Sequence, residues 1–106
     1  MAQLKVYWTE TAISQRDYVL EYWVERNKNT SYSKSLYKRI SERVTILKKQ
    51  PFIGKPSNFK DTRVISLGHY SIFYKPTETK IIITAFWDNR QEPEKLLNFL
   101  NKTSGK

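Results

Sequence analysis

A length of 106 residues leaves room for one domain, and 39% hydrophobic residues, with three Trp, seven Tyr and five Phe, exclude a largely disordered chain. No cysteine is present, so disulfides and thiolate chemistry are excluded, and a single His argues against a zinc site; no metal or cofactor is expected. A formal charge of +9 calls for an acidic or polyanionic partner, such as nucleic acid or an acidic protein.

The N-terminus Met1-Ala2-Gln3-Leu4 shows no apolar signal segment. No apolar run approaches the roughly 20 residues that span a bilayer, so the chain reads as cytoplasmic, without a membrane partner. Leu4-Lys5-Val6-Tyr7-Trp8 alternates as a short first strand does. Thr9 then offers an N-cap, with Glu10 in the first turn to favour the helix dipole. Ala12, Ile13, Arg16, Val19, Leu20, Trp23 and Val24 form one helical stripe, with Tyr18 and Tyr22 to one side. This helix is expected to end near Asn27-Lys28-Asn29.

Thr30 or Ser31 caps a second helix with Leu36, Tyr37, Ile40, Val44 and Leu47 on its buried stripe. Lys34, Lys38, Ser41, Thr45 and Lys49 fall on the opposite face. The helix stops at Gln50-Pro51, because the residue before proline disfavours the α conformation. Pro51-Phe52-Ile53-Gly54-Lys55-Pro56 reads as a turn-rich passage anchored by two apolar side chains.

Strands follow. Residues 63–67 and 70–75 are joined at Gly68-His69, where glycine can take positive φ, so a tight hairpin is predicted. Pro76-Thr77-Glu78-Thr79 turns into residues 80–87, a strand apolar on both faces and therefore central. Pro93 opens a last short helix with Leu96, Leu97 and Leu100 on one face. The expected order is β-α-α-β-β-β-α. It describes an α+β domain over residues 1–101, a mainly antiparallel sheet with a helical hairpin on one face, and a flexible tail at 102–106.

Charge is concentrated. Residues 28–63 carry ten bases against Glu42 and Asp61, whereas residues 1–27 carry three bases against four acids. Lys34, Lys38, Lys48, Lys49 and Lys55 can therefore contact phosphates or an acidic partner, or form a solvated face. Arg63, opening a strand, and Arg90, just past the central strand, can each grip a phosphate or a carboxylate bidentately. Their plainer roles are a strand-end charge for Arg63 and a local ion pair with Asp88 or Glu92 for Arg90. His69 can exchange a proton near neutrality, or stand idle in its turn. Tyr70 can stack on a base or join the core, and Trp87 belongs to the core.

These runs, in this order, resemble the RelE/ParE toxin superfamily. The matching pieces are Val6-Tyr7-Trp8-Thr9 with Ala12, Tyr22-Trp23, and Leu47 with Gln50 to Pro56. Arg63, the run Tyr70 to Tyr74, and Asp88-Asn89-Arg90-Gln91-Glu92-Pro93 complete the likeness over residues 4–100. The resemblance implies a growth-inhibiting toxin neutralised by a cognate antitoxin. ParE-like members poison DNA gyrase, whereas RelE-like members cut mRNA on the ribosome without a metal. A nuclease of the second kind would draw on Arg90, Arg63, His69 and Tyr70 as its catalytic residues. Such enzymes place an arginine where this chain has Ser71 and a late tyrosine where it has Leu96. The helical hairpin and the Pro51 to Pro56 passage look more like ParE. Three readings stay open: gyrase inhibitor, mRNA interferase, and an inactive module that only binds antitoxin.

Overall fold

A computed structural model describes residues 4–91 together with residues 94 and 95. Among the described residues up to 91, five strands, β1 (Lys5–Trp8), β2 (Lys55–Pro56), β3 (Arg63–Leu67), β4 (Tyr70–Pro76) and β5 (Lys80–Asp88), accompany two helices, α1 (Glu10–Asn27) and α2 (Ser31–Lys49). The sheet order is β1-β5-β4-β3-β2. Only β1 and β5 run parallel; the other three pairings are antiparallel. The expected α+β class therefore holds, and the expected chain order holds as far as β5 except for the added two-residue strand β2, which falls in the passage expected to be a turn. Pro93, Leu96, Leu97 and Leu100 of the expected last helix, and the tail at 102–106, lie outside the described residues. Among the described residues, no helix is long and apolar enough to cross a membrane.

Local chemistry sets the helix ends. The Thr9 hydroxyl accepts a hydrogen bond from the Ala12 N–H at 3.1 Å, which satisfies one orphan donor of α1. At its other end Lys28 takes the left-handed conformation (φ 57°), and its N–H reaches the Val24 carbonyl at 2.9 Å. Thr30 stands at the cap position of α2, but with φ −100° and ψ 0° its side chain makes no cap bond. The Asn29 carboxamide does so instead, accepting from the Ser31 N–H at 3.0 Å.

Both helices pack on one face of the sheet. Ala12 and Val19 of α1 and Leu36, Ile40 and Leu47 of α2 meet Leu67, Tyr70, Ile72, Tyr74, Ile81, Ile83 and Phe86. Each fully buried side chain of this kind contributes about 1.5–3 kcal/mol. Buried Ser33 donates to the Leu20 carbonyl and ties the two helices at close approach. Ile13 and Tyr37, on the buried stripes by periodicity, stand 37% and 50% exposed at the stripe margins.

The opposite face carries a second, smaller cluster. Phe73, Ala85 and Trp87 pack with Phe59 and Val64, with Phe59 edge-on to Phe73 at 6.0 Å. Thr84 explains how β5 serves both clusters. Phe73 pairs with Ala85 but Tyr74 pairs with Ile83, so Thr84 is an extra, bulged residue. The bulge switches the side-chain parity: Ile81 and Ile83 face the helices before it, and Phe86 after it.

Candidate functional site

The candidate residues gather where β4 begins and β5 ends. The two-residue Gly68-His69 loop has φ 61° at Gly68 only, the pattern of a II′ hairpin turn. That turn delivers Tyr70 opposite Asp88 in the ladder. Helix α1 crosses beneath and contributes Tyr18, Tyr22, Trp23 and Arg26, which with Tyr70, Asp88, Arg90 and Gln91 line a cleft of about 330 Å³.

The aromatic wall of this cleft is fixed from several sides. Trp23 Nε1 donates to the Tyr70 hydroxyl at 2.9 Å, and the Tyr70 ring stacks on Phe86 at 5.1 Å. Trp23 also meets Tyr22 at 5.1 Å and Tyr32 at 4.8 Å. Burial pushes the Tyr70 phenol above its ordinary pKa, against the opposing effect of the Trp23 bond. At neutral pH Tyr70 is thus a held, neutral phenol and a poor base.

The charged rim is also self-paired. Arg90 Nε and Nη2 grip the two Asp88 carboxylate oxygens at 2.9 and 2.8 Å, and the Arg90 N–H donates to Asp88 Oδ1 at 2.9 Å. Hydrogen bonding from Arg90 holds the Asp88 carboxyl below the usual carboxylate range, and Asp88 raises the guanidinium in turn. Beside them Ser71 is buried and donates to Asn89 Oδ1 at 2.8 Å. Asn89 is anchored by its own N–H on the His69 carbonyl at 2.8 Å. The His69 residue is exposed, and among the described residues its imidazole has no side-chain hydrogen bond.

Arg90, His69 and Tyr70 therefore share one end of the sheet, and Arg63 does not. Arg63 pairs with Tyr74, four residues along β4 from Tyr70, which places it about 13 Å away. There Arg63 Nη1 donates to the carbonyls of Gly54 at 2.6 Å and Phe52 at 3.2 Å, with its guanidinium 5.0 Å over the Phe52 ring. The same passage is pinned by the Gly54 N–H donating to the Tyr74 hydroxyl at 2.9 Å. Gly54 is required by this close approach, since an added Cβ would lie 2.6 Å from that hydroxyl. Lys34, Lys38 and Lys49 are exposed along α2, Lys48 is half-buried, and Lys55 is exposed on the edge strand.

Sequence reasoning did not single out Tyr18, Tyr22 and Arg26 as cleft residues. The signal was available in their spacing: positions i, i+4 and i+8 share one face of a helix. Tyr18 and Tyr22 are 66% and 45% exposed, a use of aromatic surface that core packing does not require.

Comparison with known proteins gives the site its context. The family model described as the ParE toxin of the type II toxin–antitoxin system parDE matches residues 6–93. A similar solved structure is that of the chromosomal ParDE system from P. aeruginosa, with a TM-score of 0.68 and 19% sequence identity. The likeness covers 79% of this chain and 94% of that one. A comparison with curated proteins finds no match. The family match spans both the helical hairpin and the sheet end that bears the cleft: the chain belongs to the ParE toxin family of type II toxin–antitoxin systems.

Proposed function

We propose that this toxin arrests growth by binding DNA gyrase rather than by cutting mRNA, and that its neutralising partner is a cognate antitoxin. The observation that carries this reading is the state of the cleft. Cleaving RNA without a metal requires a base to activate the 2′-hydroxyl, an acid for the leaving oxygen and a free cation for the phosphate charge. Here Tyr70 is buried and held by Trp23, and Arg90 is paired with Asp88, which leaves His69, exposed at the turn outside the cleft lining, and Arg26, over the Trp23 ring, as the remaining candidates. Ser71 occupies the position where the nuclease branch has an arginine, and its hydroxyl is bonded to Asn89. Arg63 serves backbone carbonyls at the far end of β3. What the cleft does offer is binding surface: exposed tyrosines, Arg26 and the rim of an ion pair, residue types that dominate protein interfaces.

The antitoxin follows from the resemblance to paired systems, of which the similar ParDE structure is one. Induced expression tests both targets together, with mRNA 5′ ends mapped and plasmid topology measured in the same cells. Loss of negative supercoiling with intact translated mRNA is expected. Cuts within translated mRNA that disappear in Arg90→Ala would transfer the chain to the nuclease branch. Absence of any growth arrest would leave only antitoxin binding.

A further inference from the structure

The strongest concentration of charge lies away from the cleft, on α2. Its 19 residues hold Lys34, Lys38, Arg39, Arg43, Lys48 and Lys49 against the single acid Glu42. Leu36, Ile40 and Leu47 fix which face is buried, and Lys34, Lys38, Ser41, Thr45 and Lys49 fall on the opposite one, all exposed. Three ion pairs join the described residues, Arg16 with Asp17, Lys28 with Glu25 and Arg90 with Asp88, and none involves α2. The neighbouring helix has the opposite balance, with Glu10, Asp17, Glu21 and Glu25 against Arg16 and Arg26. A polyanion is thus drawn to one side of the helical hairpin and repelled from the other.

We infer that the outward face of α2 is a docking surface for duplex DNA, held through the phosphate backbone. Lys34 to Lys49 spans about 22 Å along the helix axis, comparable to some six phosphates along one strand at about 3.4 Å each. Two features favour duplex DNA over other occupants. First, between Lys38 and Lys49 the face carries Ser41 and Thr45 and no apolar anchor, the apolar groove beside Lys34 (Leu20, Val24, Tyr37) lying toward α1, whereas protein interfaces are depleted in lysine and built around buried aromatic or apolar side chains. Second, single strands are held by exposed aromatic platforms. The exposed Tyr18 and Tyr22 lie on α1 and Phe52 in the passage after α2, while Tyr37 turns toward α1, 5.9 Å from the Arg16 guanidinium. DNA binding by this face does not depend on gyrase being the toxin's target, since naked duplex is a sufficient probe.

Fluorescence anisotropy of a labelled 20-base-pair duplex, titrated with the full chain across salt concentrations, tests the inference. Lys34→Gln/Lys38→Gln/Lys49→Gln is compared with a charge-matched control at exposed lysines elsewhere, Lys5→Gln/Lys60→Gln/Lys80→Gln. Circular dichroism melts verify that both variants fold. The wild-type chain is expected to bind duplex at micromolar concentration with a steep salt dependence. The α2 variant is expected to weaken binding about tenfold or more and to flatten the log–log salt slope by about 2.7, against a smaller loss in the control. Equal losses in the two variants would overturn the inference, because net charge alone would then explain binding. No duplex binding at 0.1 M salt, or tighter binding of single-stranded RNA or poly-glutamate than of duplex, would overturn it as well.

Discussion

Arg63 directs its guanidinium at the carbonyls of Gly54 and Phe52 and lies over the Phe52 ring, so its charge organises the passage between α2 and β3. Arg63→Ala is expected to lower stability by about 1–2 kcal/mol in a urea titration. Arg63→Lys should recover only part of that loss, because an ammonium lacks the planar fork. An Arg63→Ala chain as stable as wild type would show that water replaces both bonds freely. Arg90 differs in kind, since its partner Asp88 is two residues away. That ion pair could be weighed from the sequence, whereas Arg63's partners nine and eleven residues upstream are set by tertiary folding and could not. The Asp88 pair also carries a pH signature. Its folded pKa is depressed from 3.8, so its contribution is present above that value and is lost as pH falls through the lower, folded one. The stability gap between wild type and Asp88→Asn should therefore be constant from pH 7 to 5 and shrink below about pH 4. A gap that persists undiminished at pH 2 would remove the ion pair as its source.

Elements with local signals were legible, and those made by distant pairing were not. The Thr9 cap, the stop of α2 before Pro51 and the Gly68-His69 hairpin all rest on short-range chemistry and appear where the sequence puts them. In the sequence β2 reads as part of a turn: a two-residue edge strand containing Pro56 exists only because Arg63 and Val64 stand opposite it. The bulge at Thr84 was hidden for a different reason. A run apolar on both faces gives no period to interrupt, so the change of parity between Ile83 and Phe86 leaves no trace in hydrophobicity. The second cluster around Phe73 and Trp87 followed from it. The end of α1 shows a local cost that remains unrelieved: Lys28 holds a left-handed conformation that glycine adopts without penalty. Lys28→Gly is expected to stabilise the chain by about 0.5–1 kcal/mol, measured by thermal melting. A destabilised variant would mean that the Lys28 side chain, 3.7 Å from Glu25, matters more than the backbone.

At the scale of the whole molecule two surfaces stand out. One is the cleft at the sheet end, where α1 tyrosines and a self-paired Arg90 offer contact area, with His69 exposed at the turn beside it and outside its lining. The other is the positive face of α2. The cleft is only half legible in the sequence: Tyr70, His69 and Arg90 follow from their places after a turn or a strand. Their neighbours on α1 required knowing that α1 packs against β5. The central claim is that growth arrest comes from binding and not from proton transfer in this cleft. The most direct measurement is growth arrest on induction of His69→Gln/Tyr70→Phe, with solubility and antitoxin binding verified alongside. Arrest as complete as that of the wild-type chain is predicted, since neither proton is used. A nuclease that relied on these groups would lose about 10²–10⁴-fold in rate, so a folded, antitoxin-binding double variant that no longer arrests growth would contradict the claim.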